Sequence, residues 1–329
     1  MSLLEVNNLS TSFFTDKGEI RAVRNVSFKL EEGKVLGIVG ESGSGKSVTV
    51  YSILGLLPPN ARVVSGSVKF KGEELVGAPD ALIRKIRGNK ISIIFQDPMT
   101  SLNPTYTVGK QLTEAILLHT DADKREAAAR AKEIMNMVNI SDSERRMKQY
   151  PFELSGGMRQ RIMIAMALAT NPDILIADEP TTALDVTIQA SILELMASLQ
   201  KKLGMAIIMI THDLGVIAKT CDEVIVMYAG EIAERGEVRD IFYNPRHEYT
   251  KGLLKSVPKA DGKKEKLNAI RGNVIDLTKI PEGCPFMQRC DEAMKICRVK
   301  NADELKISEK HTVRCWMNQR ERYLGTNGE

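Results

Sequence analysis

Apolar and polar residues alternate from Leu3 to Leu9 and again from Val23 to Leu30, the two-residue period of strands that bury one face. KVLGIVG (Lys34–Gly40) breaks that alternation, because a short β-branched run halted by glycine reads as a fully buried strand. VTVYSILGLL (Val48–Leu57) reads as the helix that follows, ending at Pro58-Pro59. Further buried strands are predicted at KISIIFQD (Lys90–Asp97), DILIADEP (Asp173–Pro180) and MAIIMITHD (Met205–Asp213). Helical spacing sets Ala127, Ala131, Ile134 and Val138 on one face of Asp123–Ile140, and RQRIMIAMALAT (Arg159–Thr170) also reads as a helix. EVIVMYAGEIAERG (Glu223–Gly236) predicts a hairpin turning at Ala229-Gly230. No strand pattern occurs between Asp97 and Leu154, which predicts a helical insertion. After Gly236 the pattern weakens, and DGKKEK (Asp261–Lys266) reads as a solvated linker. Buried strands alternating with helices predict an α/β fold with a mainly parallel sheet.

Composition narrows the class of protein. A chain of 329 residues suits one large domain with an appendage. Apolar content of 43% and charged content of 27% are those of a soluble globular protein. The formal charge of +4 and 5% aromatic content supply no basic, aromatic-lined stripe, so nucleic acid is not an expected partner. The start, MSLLEVNNLS, lacks the basic and apolar regions of a signal peptide, and no apolar run reaches the ~20 residues of a membrane span. A cytosolic chain is expected, and reducing conditions there disfavour disulfides.

The first candidate chemistry follows the strand Lys34–Gly40. GESGSGKS (Gly40–Ser47) matches G-x-x-x-x-G-K-[ST] between a predicted strand and a predicted helix, the context a phosphate loop requires. Gly40, Ser42, Gly43, Ser44, Gly45, Lys46, Ser47 and Val48 form the candidate ATP-binding set. Glycines let successive amides turn toward phosphate oxygens, Lys46 reaches the β- and γ-phosphates, and the Ser47 hydroxyl is offered to Mg²⁺. LIADEP ends a buried strand with two carboxylates, at the sheet edge where ligands of α/β folds bind. Asp178 is expected to hold magnesium, and Glu179 to accept a proton from the attacking water.

LSGGMRQR (Leu154–Arg161), lying between those two motifs, resembles the signature of ABC-transporter ATPases. Read as chemistry, Ser155, Gly156 and Gly157 open a helix whose bare amides form a second phosphate-binding surface. The resemblance implies an ABC ATPase with a RecA-like mixed sheet, an antiparallel β subdomain and a helical subdomain at about 97–160. It implies two such domains sandwiching two ATP molecules, each signature (Ser155, Gly156, Gly157 and Gln160 here) serving the opposite subunit's nucleotide. Gln96 resembles the glutamine that touches Mg²⁺ and the attacking water. Thr182–Asp185 (TALD) resembles the dimer-interface loop, with Asp185 its acid. His212 resembles the switch histidine at the γ-phosphate, and Phe13, with Phe14 as alternative, the ring that stacks on adenine. Catalysis is thereby expected of Glu179, His212, Gln96 and Lys46, with Mg²⁺ held through Ser47, Gln96 and Asp178.

FQDPMTSLNP (Phe95–Pro104), VMYAGEIAERG and NPRHEYTKGLLKSVP (Asn244–Pro258) are similar to the oligopeptide/dipeptide importer ATPases, which the nickel and some sugar importers also resemble. That resemblance implies a domain at 1–236, an extension at 237–329, and peripheral attachment at the cytoplasmic face of the membrane. The implied partners are a second ATPase subunit, paralogous or identical, two integral membrane permeases and, indirectly, an extracytoplasmic solute-binding protein. A soluble ABC ATPase acting on nucleic acid or ribosomes is the rival class, against which stands the single ATPase half with no heptad run.

Of the five cysteines, Cys284, Cys290, Cys297 and Cys315 crowd into the tail. In a reducing compartment such crowding favours a metal over disulfides, although close C-x₂₋₄-C zinc pairs are missing. Spacing alone leaves zinc, an iron–sulfur cluster and free buried thiols open. The importer resemblance implies a [4Fe–4S] cluster on these four residues, at about 281–316, with Zn²⁺ as the alternative. Cys221 fits no set and is expected in the core.

Overall fold

The protein, described here by a computed structural model, is resolved into residues 2–97, 101–182, 184–256 and 270–319. The predicted linker at Asp261–Lys266, and Ala183 of the TALD loop, lie outside the described residues. Two compact units make up the chain: Met1–Leu3, Leu30–Val35 and Gly77–Ile210 in one, Leu4–Lys29, Leu36–Val76 and Thr211–Glu329 in the other.

The unit containing Gly77–Ile210 carries three parallel strands, Ile91–Ile94, Ile174–Asp178 and Ala206–Ile210, with Ile91 opposite Ile174 and Ile174 opposite Ala206. Every residue of the latter two strands is buried, which explains their unbroken apolar sequences. The insertion is helical as expected, with helices Val108–His119, Lys124–Met137 and Ser143–Arg146. Asp123 caps the middle helix by accepting from Arg125 N and Glu126 N, while Glu126 accepts from Asp123 N, a reciprocal capping box. Ala127, Ala131, Ile134 and Val138 are all fully buried, the face their spacing predicted. Helices Asp80–Ile86, Gly156–Ala167 and Val186–Leu203 also belong to this unit.

In the other unit, strands Ser2–Thr15 and Gly18–Glu31 are joined in an antiparallel sheet by Ala61–Phe70, whose Phe70 stands opposite Leu4. The hydrophobic pattern does not announce Ala61–Phe70, because Ser65-Gly66-Ser67 interrupts it. Gly66 is needed there: at φ 104° a side chain is strained, and a Cβ would sit 2.6 Å from the Leu9 Cα. Strand Val35–Val39 runs parallel to Glu223–Tyr228, with Leu36 opposite Glu223. That strand turns back into Glu231–Glu237 through Ala229 (φ 50°) and Gly230 (φ 82°), the paired positive φ of a tight hairpin turn. Helix Lys46–Leu54 stops at Gly55, before the prolines, because Gly55 adopts the left-handed conformation and donates back to Ser52 O and Tyr51 O.

The extension docks on this unit by pairing and by burial. Thr312–Val313 adds to the edge of Glu231–Glu237, and Leu305–Lys306 pairs with it in turn. Glu234, fully buried, accepts from Arg246 N at 2.6 Å and His247 N at 2.9 Å and pairs with His311 Nε2 at 2.8 Å. Within the extension, Cys297, Ala302 and Trp316 form a small core with Cys284, Met287, Met294 and Ile296 packed against it. Among the described residues no helix is long and apolar enough to cross a membrane.

Candidate functional site

The phosphate loop is folded tightly onto its own unit. Gly40, Gly43 and Gly45 have φ of 155°, 77° and 101°, conformations that side chains rarely adopt. A Cβ at Gly45 would lie 2.5 Å from Ala22 O, and one at Gly40 would collide with Met227 O, so neither position accepts a larger residue. Lys46, 6% exposed, donates to the Gly40 carbonyl at 2.8 Å and the Glu41 carbonyl at 3.0 Å. Ser44 is buried with its hydroxyl unpartnered among the described residues, while Ser42 and Gly43 face solvent. An orphaned hydroxyl, a buried ammonium and a glycine cradle at a helix N-terminus are what a triphosphate requires, so these residues fit ATP. Ser47 and Val48, half-buried, occupy the first turn of the helix Lys46–Leu54.

The acidic pair lies in the unit containing Gly77–Ile210. Asp178 ends its strand with a 1% exposed side chain, a carboxylate at the C-terminal edge of parallel strands. Glu179, next along, is held at φ 48° and donates its amide to Ile210 O at 2.9 Å. A left-handed glutamate costs on the order of 1 kcal/mol, and such strain recurs where a side chain must be aimed. Its Oε2 accepts from Thr182 Oγ1 at 2.8 Å and from Gln96 Nε2 at 3.2 Å. The fold therefore brings Gln96 and Glu179 together across 83 residues and adds Thr182, whose part here sequence reasoning missed.

The signature and the interface loop also meet in this unit. Ser155 caps the helix by accepting from Met158 N, and Asp185 caps the next by accepting from Ile188 N. Gly157 has no room for a side chain, since a Cβ would lie 2.9 Å from Ile188 Cγ2. Gln160 is 1% exposed, and its Oε1 is unpartnered among the described residues.

Among the remaining candidates, Phe13 is half-buried opposite Ala61, and its neighbour Phe14 is 39% exposed with the Arg62 guanidinium 4.5 Å above the ring. His212 is exposed just beyond Ala206–Ile210, followed by Asp213, which caps the helix Leu214–Thr220. Cys221, expected in the core, is half-buried just after the helix Leu214–Thr220, and burial of its thiol pushes it up to about 12.

Of the four expected metal ligands, Cys297 is buried and Cys284, Cys290 and Cys315 are half-buried, all as free thiols. Among the described residues no group of three or more His, Cys, Asp or Glu is arranged to hold a metal ion. The thiols do share one neighbourhood. Burial pushes Cys284 up to about 12, and the charges of Cys297, Cys315 and Cys290 raise it further; burial likewise takes Cys290 up to about 11. The donor chemistry suits a thiolate site, and Cys284 and Cys297 pack beside Trp316. That core, the buried Glu234 and an ion pair from Arg289 to Glu41, a phosphate-loop residue, hold this end to the unit. Neither Arg289 nor Glu41 was singled out by sequence; a lone charge pair separated by 248 residues leaves no periodic trace.

Comparison with known proteins agrees with this geometry. Residues 23–182 match the ABC transporter family model, and residues 233–297 match the model of the oligopeptide/dipeptide transporter C-terminal region. The dipeptide transport ATP-binding protein DppD of Bacillus subtilis is 53% identical over 99% of this chain and 98% of its own length. The oligopeptide transport ATP-binding protein OppD of Salmonella typhimurium is 51% identical over 90% of this chain and 88% of its own. Among solved structures, a dimeric post-hydrolysis state of the ATP-binding cassette MJ0796, bound to ADP and Pi, superposes with a TM-score of 0.64. It is 29% identical over 72% of this chain and 99% of its own.

Proposed function

The chain belongs to the ABC-transporter ATP-binding family, in its oligopeptide/dipeptide branch, and we propose that it is the ATP-hydrolysing subunit that powers uptake of di- or oligopeptides. The observation that carries the reading is the phosphate loop: buried Lys46, orphaned Ser44 and glycines with no space for side chains. Residues 1–236 act as the nucleotide-binding domain and 237–329 as an extension. The working form is an ATP-sandwich dimer with an identical or paralogous subunit, peripheral at the cytoplasmic membrane face. Two permease subunits carry the solute, an extracytoplasmic binding protein delivers it, and nucleic acid has no part.

Phosphoryl transfer needs positioning and charge stabilisation more than covalent chemistry. Lys46 and the amides of Gly40, Ser42, Gly43, Ser44, Gly45, Ser47 and Val48 bind the phosphates, and Phe13 supports the base. Ser47, Gln96 and Asp178 would hold magnesium, which when bound neutralises charge on the transferring phosphoryl group. Glu179 takes the proton of the attacking water while Gln96, Thr182 and His212 orient it. Ser155, Gly156, Gly157 and Gln160, with Asp185 beside them, present the signature to the opposite subunit's nucleotide.

A [4Fe–4S] cluster on Cys284, Cys290, Cys297 and Cys315, or zinc in its place, is the finer part of the proposal. It is supported by donor chemistry and mutual proximity, and no catalytic step depends on it. Metal analysis of the anaerobically purified full chain tests it. Brown protein with iron and sulfide supports a cluster, stoichiometric zinc replaces it, and freely titratable thiols with neither metal remove the site.

The ATPase reading is tested by MgATP binding to the wild type and to Lys46→Ala. Loss of binding in the variant supports it; equal affinity removes the phosphate-loop assignment.

A further inference from the structure

Glu41 is the second residue of the phosphate loop, and all of its polar groups are engaged within one unit. Its amide donates to the Tyr249 hydroxyl at 2.8 Å. Its carbonyl accepts from Lys46 Nζ at 3.0 Å and from Ser44 N at 3.2 Å. Its carboxylate receives both arms of Arg289, Nη1 to Oε2 at 2.5 Å and Nη2 to Oε1 at 2.9 Å. Arg289 comes from the C-terminal extension, immediately before Cys290, and its side chain is 5% exposed against 25% for Glu41.

The arginine is itself fixed on every side. Its Nε donates to Arg271 O at 2.9 Å, and its guanidinium lies 5.9 Å from the ring centroids of both Tyr228 and Phe286. Those rings pack with Tyr249, Phe286 edge-on to Tyr228 at 5.2 Å and tilted to Tyr249 at 5.3 Å. A two-armed arginine–carboxylate pair specifies orientation as well as charge, which a lysine cannot reproduce.

A carboxylate one residue into an anion-binding loop opposes the anion unless its charge is neutralised and its direction fixed. We propose that Arg289 is a positioning residue for nucleotide binding, holding the Glu41 carboxylate away from the phosphate cradle so that the docked extension sets the affinity of the loop. The inference rests on the reading of Gly40–Ser47 as the ATP phosphate site. It makes the extension part of the nucleotide site's support, and undocking of the extension lowers affinity for ATP.

Calorimetric MgATP titration of the full chain tests this, with thermal unfolding recorded for every variant so that binding is measured only on folded protein. Arg289→Met is expected to weaken MgATP about tenfold, chiefly as a raised KM, with kcat at saturation within about threefold. Arg289→Lys, which keeps the charge and loses the fork, falls between wild type and Arg289→Met. Adding Glu41→Gln to Arg289→Met removes the bare carboxylate and restores affinity to within about threefold of wild type, a coupling that a general loss of stability would not produce. If Arg289→Met does not fold, the comparison is between Arg289→Lys with and without Glu41→Gln, with the same direction of rescue. Wild-type affinity in the folded arginine variants, or no rescue by Glu41→Gln, overturns the proposal. Absence of MgATP binding to wild type, or unchanged binding in Lys46→Ala, instead overturns the phosphate-site reading beneath it.

Discussion

Gln96 and Glu179 are hydrogen-bonded: the Gln96 amide donates to Glu179 Oε2 at 3.2 Å, and the Thr182 hydroxyl donates to the same oxygen at 2.8 Å. Two donors on one carboxylate oxygen fix its direction. Gln96→Ala and Thr182→Val should each lower kcat, roughly 10- to 100-fold for the glutamine, with KM for ATP moved far less. Steady-state phosphate release measures both. An unchanged kcat in both variants would show that this carboxylate needs no alignment.

Gly45 supplies a test of the loop that leaves every charge in place. At φ 101°, with a Cβ 2.5 Å from Ala22 O, Gly45→Ala must move backbone in the phosphate loop. Nucleotide affinity should fall at least about tenfold while far-ultraviolet circular dichroism is retained. Wild-type affinity in Gly45→Ala would mean that the cradle is not the binding surface.

His247 ties stability to pH. Burial lowers its pKa from 6.5 to about 4, with the Lys251 charge acting in the same direction. The neutral ring caps the helix Glu248–Lys255 by accepting from Tyr249 N at Nδ1, 3.0 Å away. Below pH 6.5 the unfolded chain binds a proton that the folded chain refuses, so stability present above that pH is lost as pH falls toward 4, by up to about 3 kcal/mol. The melting temperature should drop between pH 7 and pH 5, and His247→Asn should flatten the slope. Parallel slopes would assign the effect to other groups.

Asp123 offers a change in stability away from the chemistry. Replacing it with Ala removes both acceptor contacts of the capping box, at a cost of about 1 kcal/mol. Chemical denaturation should show that loss with turnover unaltered at 25 °C. A loss near zero would mean that packing of Ala127, Ala131 and Ile134 alone determines this helix.

The elements that position the chemistry were legible because each carries a local signal. Lys34–Gly40 and Asp173–Pro180 showed unbroken apolar runs because their strands are buried on both faces, and Ala229-Gly230 showed the turn because only certain residues accept positive φ. Ala61–Phe70 was hidden because Gly66 answers to the neighbouring backbone of Asn8 and Leu9, a contact that exists only after folding. The helix after the phosphate loop ends at Gly55, since a left-handed cap outranks the prolines beyond it. Motif order pointed to Lys46, Asp178 and Glu179 as candidates. The Arg289–Glu41 pair and the Thr182 contact were invisible, being single long-range or side-chain choices without period. The crowding of the tail cysteines was plain, whereas the packing of Cys284 and Cys297 against Trp316 exists only after folding.

The central claim is that this chain turns over MgATP through Glu179. Its most direct test is phosphate release by the assembled transporter in membranes, comparing wild type with Glu179→Gln and recording bound nucleotide alongside. The wild type should hydrolyse ATP, and Glu179→Gln should lose at least about 100-fold in kcat while retaining bound ATP in a closed dimer. Hydrolysis by Glu179→Gln at the wild-type rate would contradict the account.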